Sequence, residues 1–296
     1  MKLSDFVNKI SNIKIYRDGE FDNLDFANSK LKTRILTFID EEKYISILSD
    51  DVTCIICNDE IAKILPVKYA ICLSDNPRLE FYLIHNYLSR NSELYKKHDF
   101  QTIIGENCII SNKDNISNKN VVIGSNVNIE ENSIIRENVC IGDNTIIRAG
   151  VVIGGEGFQF NKEGRTIFIE HSGGVKIGRN VELQYNTCID KAMFPWDNTI
   201  ICDETKIDNL VYVAHGVKIG KRCLIAANAS IGGSTVIGED CWVGISATIS
   251  NGLIIGNNVS IKIGSVVTRN IEDGVSVSGN FAIEHSKFIE FIKSIG

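Results

Sequence analysis

The sequence is short of positive charge. Its 31 lysines and arginines are outnumbered by 37 aspartates and glutamates, a formal charge of −6. That balance excludes the basic footprint of a nucleic-acid binder. No apolar run reaches the roughly 18 residues that a membrane-spanning helix needs. The N-terminus, Met1-Lys2-Leu3-Ser4-Asp5, lacks the apolar stretch of a secretory signal, which predicts a cytoplasmic protein. Histidine is scarce, at positions 85, 98, 171, 215 and 285. A metal-dependent hydratase would need about three imidazole ligands, so no metal is expected. The nine cysteines are odd in number and scattered. Cys54 and Cys57 form a C-x-x-C pair inside an apolar run, with no second pair to complete a zinc site, and read as buried thiols.

What the sequence has instead is a period of six. Between 123 and 267, 21 of the 25 positions at that spacing carry Ile, Leu or Val, the misses being Gln159, Arg165, His171 and Pro195. Six matches neither the 3.6 of an amphipathic helix nor the 2 of a plain strand. It matches a β-solenoid with three flat faces and about 18 residues per coil, each aliphatic stacking on its equivalent about 4.8 Å away. Two residues before each aliphatic comes a small or β-branched residue, among them Val127, Thr187, Thr199, Cys223 and Cys241. This is expected of a second inward position. Cys223 and Cys241, one coil apart, should stack as thiols. Gly follows the aliphatic at Gly124, Gly142, Gly154, Gly178, Gly220, Gly232, Gly238 and Gly256, and is expected to supply the backbone conformation of a sharp corner.

Three regions follow. Residues 1–100 show no sixfold repeat and read as a small α/β domain. Ser4 is expected to cap a helix running to about Ile10. Strands are expected at 13–16, 36–39, 52–57 and 69–73, helical segments at 41–48 and 60–65, and a helix from Asn76-Pro77. The link to the solenoid is placed at 93–100. Residues 101–279 are the solenoid, first in a shifted register (Ile104, Ile110, Ile116) and interrupted at 154–174 and 191–198. The second interruption carries Met193-Phe194-Pro195-Trp196, expected to serve function or subunit contact. Residues 280–296, with Phe281, Phe288, Ile289 and Ile292, read as an amphipathic helix that caps the last coil or packs on a neighbouring subunit.

Among the histidines, His85 reads as structural, and His171, in the first interruption, as either a ligand contact or a surface residue. His215 stands inside otherwise regular coils, in Val213-Ala214-His215-Gly216-Val217, just after Asp208-Asn209. An imidazole oriented by a nearby carboxylate is a general base near neutral pH. Eighteen residues on lies Gly233, which stacking places above His215, where its N–H could stabilise an oxyanion. Base plus oxyanion donor suffices for acyl transfer to an amine. No nucleophile signature points to an acyl-enzyme.

The chain resembles the UDP-3-O-(3-hydroxyacyl)glucosamine N-acyltransferase family of lipid A synthesis. The resemblance rests on Ile35-Leu36-Thr37-Phe38 through Tyr44, Asn76-Pro77-Arg78-Leu79, Gly155-Glu156-Gly157-Phe158, Ile189-Asp190, Ile207-Asp208-Asn209, Val213-Ala214-His215 and Gly233-Ser234. It implies a left-handed parallel β-helix, a homotrimer and a cleft between subunits. By the same resemblance His215 is the catalytic base, Asp208 its orienting partner and Gly233 the oxyanion donor. Phe38 and Tyr44 match the pair that holds the nucleotide base, and Glu156, Gly157 and Phe158 a loop near the substrate. Asn209 and His171 complete the expected substrate contacts. No cofactor is implied beyond the acyl thioester, acyl-CoA or acyl carrier protein, that serves as cosubstrate.

The chain departs from that pattern where Glu41 replaces an Asn between the aromatic pair. The second histidine is missing from Ser250-Asn251-Gly252-Leu253, and the C-terminal helix and N-terminal domain are short. These departures favour a relative that moves a 3-hydroxyacyl group such as 3-hydroxybutanoyl from CoA to a dTDP-linked 3-amino-3,6-dideoxyhexose, for O-antigen or other lipopolysaccharide synthesis. The alternatives are the lipid A enzyme itself and a β-helical scaffold without activity.

Overall fold

The structure is a computed structural model that describes residues 1–7, 13–95, 98–112, 115–162, 166–279 and 284–295. The expected helix end at Ile10 and the tail residue Phe281 lie outside these residues, as does part of the link at 93–100. The chain divides into two compact units. The first comprises Met1–Lys97, Phe158–Gly173 and Met193–Trp196, and the second comprises His98–Gly157, Gly174–Ala192 and Asp197–Gly296.

The first unit is built on a five-stranded sheet of β1 (Lys14–Arg17), β2 (Asn23–Leu24), β3 (Ile35–Ile39), β4 (Val52–Cys57) and β5 (Ala70–Leu73), ordered β1-β5-β4-β3-β2. Only β1 runs antiparallel to its neighbour. Central β4 is apolar on both faces, as a parallel strand covered on both sides must be. Asn58 caps α1 (Asp59–Ile64) by accepting the Ile61 N–H at 2.9 Å. Pro77 occupies the first turn of α2 (Pro77–Asn91), which buries Phe81, Ile84 and Leu88. The helical segment expected at 41–48 is a 3₁₀ helix over 42–47. One expectation changes. Ser4 lies within a 3₁₀ turn, Leu3–Asp5, and its hydroxyl donates to Asp18 at 2.8 Å instead of capping a helix.

The core of this unit draws on later segments. Ile169, Met193 and Phe194 are buried in one cluster with Phe21, Leu36, Ile56 and Phe81. Phe194 stacks on Trp196 with centroids 5.0 Å apart. The aromatic interruption is therefore core, which corrects its expected role in function or subunit contact. Cys54, Cys57 and Cys72 are buried thiols, pushed up by burial to about 11, 12 and 12.

The second unit is a left-handed parallel β-helix of hexapeptide repeats, with sheets of seven, eight and nine short strands. The aliphatics stack in register, as in Ile201↔Ile219 and Ile219↔Ile237. Small inward residues such as Thr187, Thr199 and Thr205 are also buried. Cys223 and Cys241 are buried thiols whose Sγ atoms approach the Gly238 and Gly256 carbonyls at 3.1 Å.

The corners correct the expected role of glycine. The left-handed conformation falls as a rule three residues after the aliphatic and is taken most often by asparagine, as at Asn126 (φ 58) and Asn144 (φ 58). A short polar side chain tolerates it best after glycine. The glycine directly after the aliphatic serves close packing instead. A Cβ built on Gly142 would meet the Gly178 backbone at 2.6 Å. Gly154, with φ +84, is different.

The interruptions keep the arithmetic of the repeat. Regular coils pair residues 18 apart, as in Ile201↔Ile219. Across the first excursion Val139 pairs with Val175, and across the second Val175 pairs with Thr199. The excursions thus add 18 and 6 residues, whole multiples of the face length, so the register resumes without a phase change.

The C-terminal helix α3 (His285–Ile295) leaves Phe288, Ile289, Phe291 and Ile292 exposed. Its apolar side is therefore not covered by the last coil, contrary to the capping expectation. Among the described residues no helix is long and apolar enough to cross a membrane.

Candidate active site

His215 sits at the corner after strand Tyr212–Val213, half-buried, and is followed by Gly216 with φ +69. One coil on, Ser230↔Tyr212 and Ile231↔Val213 pair, which carries Gly233 over the imidazole. A Cβ built on Gly233 would lie 2.6 Å from His215 Nε2 and 2.7 Å from Cε1. Only glycine fits there with the ring in place. The Ser234 N–H donates to the His215 carbonyl at 2.9 Å and ties the two corners together.

Burial pushes the His215 imidazole below its ordinary value of 6.5, and the Asp197 carboxylate opposes that shift. The ring is therefore neutral near pH 7, the form a general base requires. The acidic partner differs from expectation. Asp208 lies seven residues before His215, and on six-residue faces that is the preceding corner of the triangle. Its carboxylate accepts the Asn209 N–H at 2.7 Å and the Ala227 N–H at 3.2 Å. It also borders a groove of about 240 Å³ with Gln184, Leu224 and Trp242. Within the chain the carboxylate that acts on His215 is Asp197, which also pairs with Lys218 at 3.2 Å. Asn209 is likewise committed to its corner, where its Oδ1 accepts the Tyr185 N–H at 3.2 Å.

One coil before His215, on the same face, lies a second acid. Asp190 is buried, accepts the Tyr212 hydroxyl at 2.6 Å, and is pushed up to about 6 by burial, with Glu156 adding to the rise. Its Oδ1 would lie 3.1 Å from a Cβ built on Gly155. Glu156 is exposed and pairs with Lys191 at 2.6 Å, and Gly157 is buried. Asp197, Lys218, Tyr212 and Lys191 had no signal in the spacing. Asp190 stood in a motif that the resemblance quoted, without a role.

In the first unit, Phe38 and Tyr44 come together in a cleft of about 290 Å³ with Phe26, Asp40, Arg78 and Tyr82. Arg78 lies over the Phe38 ring at 5.5 Å and pairs with Asp40 at 3.0 Å. Of its polar members, Asn28 and Asp40 had no signal in the sequence, and Arg78 stood in a motif that the resemblance quoted, without a role. Glu41 does not line the cleft. Its carboxylate is exposed and pairs with Lys43 at 2.7 Å. Phe158 is 87% exposed and meets the Phe160 edge at 5.0 Å. His171 is neither a surface residue nor in the cleft. It is buried, with its ring 6.0 Å from Phe168. His85 is structural, with Nε2 2.8 Å from the Glu170 carbonyl, and burial lowers it to about 4.

Residues 120–155 and 198–233 match the bacterial transferase hexapeptide (six repeats), and 234–269 the hexapeptide repeat of succinyl-transferase. Among curated proteins the chain is similar to UDP-3-O-acylglucosamine N-acyltransferase 2 of Legionella pneumophila. It is 48% identical to the strain Lens protein over 149 residues, which is 49% of this chain and 43% of that protein. To the strain Philadelphia 1 protein it is 51% identical over 150 residues, with the same shares. The matched stretch thus spans less than half the length of these relatives. Among solved structures, a UDP-N-acetylglucosamine acyltransferase from Campylobacter jejuni superposes with a TM-score of 0.54 at 20% identity, covering 66% of this chain and 79% of that one. That likeness is one of fold. The chain is a hexapeptide-repeat β-helical protein that resembles the UDP-3-O-acylglucosamine N-acyltransferases.

Proposed function

We propose that the protein is a sugar N-acyltransferase that moves an acyl group from a thioester to the amine of a nucleotide-linked amino sugar. The observation that carries this reading is Gly233 packed against the imidazole of His215. His215 accepts a proton as the sugar amine attacks the thioester carbonyl. The Gly233 N–H holds the oxyanion, and the tetrahedral intermediate collapses with release of the thiol. The N–C bond forms, the C–S bond breaks, and the amine proton passes through His215 to the leaving thiolate. Asp197 raises the basicity of the imidazole against the effect of burial.

The cleft around Phe38 and Tyr44 is proposed to hold the nucleobase, with Arg78 and Asp40 at its edge. A 3-hydroxyacyl-CoA donor and a dTDP-linked 3-amino-3,6-dideoxyhexose acceptor are favoured by Glu41 standing outside the cleft. The similarity to relatives named for UDP-3-O-acylglucosamine supports the second reading, acylation of a UDP-linked glucosamine, for which the proposed donor is an acyl carrier protein. Exposed apolar residues on the outer faces, among them Leu224, Val236, Trp242 and Ile254, support assembly as a homotrimer.

Calorimetric titration of dTDP and UDP in parallel tests the acceptor. Tighter dTDP binding followed by turnover of acyl-CoA supports the first reading. Tighter UDP binding with carrier-protein turnover supports the second. Binding of neither nucleotide, with no acyl transfer, would leave a β-helical scaffold.

A further inference from the structure

The corner that carries His215 departs from the others in its hydrogen bonding. At equivalent corners the residue in the left-handed conformation donates its N–H to a corner carbonyl one coil below. Leu210 donates to Tyr185 at 3.0 Å, Asn228 to Asn209 at 3.0 Å and Ser234 to His215 at 2.9 Å. Gly216 does not follow this rule. Its N–H donates to the Thr199 Oγ1 at 2.9 Å. The reason lies one coil earlier, where the chain between Cys188–Asp190 and Asn198–Ile201 is drawn out by the six-residue excursion. The corner that would offer a carbonyl beneath His215 is absent from the ladder.

Thr199 is an exception of its own. Threonines in its slot donate to a corner carbonyl in the next coil, as Thr205 does to Gly220 at 2.8 Å and Thr235 to Ser250 at 2.9 Å. Thr199 turns the other way. It donates to the Asp190 carbonyl at 2.6 Å, and so its oxygen is available to Gly216. Its side chain is fully buried. The neighbouring Tyr212–Asp190 bond holds the same segment from its other side.

We infer that Thr199 is a positioning residue, whose hydroxyl replaces the missing corner carbonyl and fixes the backbone from which His215 projects. The inference deepens the reading of His215 as general base and rests on it. Without the hydroxyl, the Gly216 N–H loses its acceptor and the corner relaxes toward water. The imidazole then loses both its placement under Gly233 and part of the desolvation that keeps it neutral.

The test compares wild type with Thr199→Val, which preserves shape and removes the hydroxyl, and with Thr199→Ser, which preserves the hydroxyl. Thr199→Ala serves should the valine variant fail to fold. The full-length protein is labelled with 13C at histidine Cε1, and the His215 resonance is assigned by its loss in His215→Gln. The expected result is a His215 midpoint that rises toward 6.5 in Thr199→Val and returns to the wild-type value in Thr199→Ser. Acyl transfer should fall about 10- to 100-fold in kcat with KM little changed. An unchanged His215 titration in Thr199→Val overturns the inference, whatever the activity. Wild type that transfers no acyl group while its midpoint still responds to Thr199 overturns the acyl-transfer reading and leaves the positioning role standing.

Discussion

Gly233 lies so close over His215 that a methyl group on its Cα would stand 2.6 Å from Nε2. Two residues one coil apart are thus fitted to each other, and the fit is lost with a single carbon atom. Gly233→Ala should displace the imidazole and lower kcat/KM by about 100-fold or more, with the circular dichroism spectrum unchanged. Steady-state kinetics with the best donor and acceptor pair measures this. An alanine variant of full activity would show that turnover does not need the close packing of Gly233 on the imidazole.

His215→Ala should cost about 10²- to 10⁴-fold, the span of a lost general base. The pH profile is the sharper check. Burial lowers the imidazole, so its unprotonated form persists below the ordinary 6.5. The acid limb of kcat/KM should therefore bend below 6.5. In Asp197→Asn the opposing carboxylate charge is gone, and the bend should move to still lower pH.

Asp190 gives a prediction about stability. Its carboxyl is raised to about 6 in the folded protein against 3.8 as a free group. The folded state therefore holds the proton more tightly than the unfolded chain. The resulting stabilisation is complete below about pH 3.8 and is lost as pH rises through 6. Asp190→Asn, with its neutral carboxamide, should raise the melting temperature relative to wild type more at pH 8 than at pH 4.5. Thermal melts at the two values decide it.

Leu210 adopts φ 58 at a corner where asparagine is the common choice, and it is 55% exposed. A left-handed leucine costs about 1–2 kcal/mol. Leu210→Asn should raise the melting temperature by about 2–4 °C, read by differential scanning calorimetry.

For the cleft of the first unit, Tyr44→Ala should weaken nucleotide binding by roughly tenfold or more, since stacking of a base on an aromatic ring is worth about 1–3 kcal/mol. Glu41→Ala, outside the cleft, should leave it unchanged. Calorimetry on both variants separates the two.

The solenoid was legible because branched aliphatics at a period of six have one physical use. The count survived even its misses: Gln159, Arg165, His171 and Pro195 fall within excursions of 18 and 6 residues, which preserve the phase. The pairing of His215 with Gly233 was legible for the same reason, since 18 residues make one coil. Asp208 was misplaced by proximity in sequence, because seven residues on this fold turn a corner and leave the two side chains on different ones. Asp197 gave no signal, and Thr199 was read only as one of the small inward residues. Their places depend on the path of the chain out of the coil and back, which no local pattern encodes. The corner glycines were recognised, but, Gly154 apart, their reason was crowding by the next coil and not φ. In the first unit four of the five sheet strands followed from apolar runs, and β2 (Asn23–Leu24) did not. The burial of Met193 and Phe194 did not, because a short aromatic segment between coils looks the same whether it faces water or a core.

That burial bears on how the protein is made. The amino-terminal unit leaves the ribosome first, yet its core is finished by Ile169, Met193 and Phe194. Phe26 and Phe81 have Phe194 among their ring partners, at 5.5 and 6.2 Å. At the usual rate of about 5–20 residues per second, the earliest strands wait several seconds for those partners. A chain stopped at Lys97 would hold the five strands with an open apolar face. The part synthesised first is therefore the part completed late, and its maturation depends on solenoid coils that have already been translated.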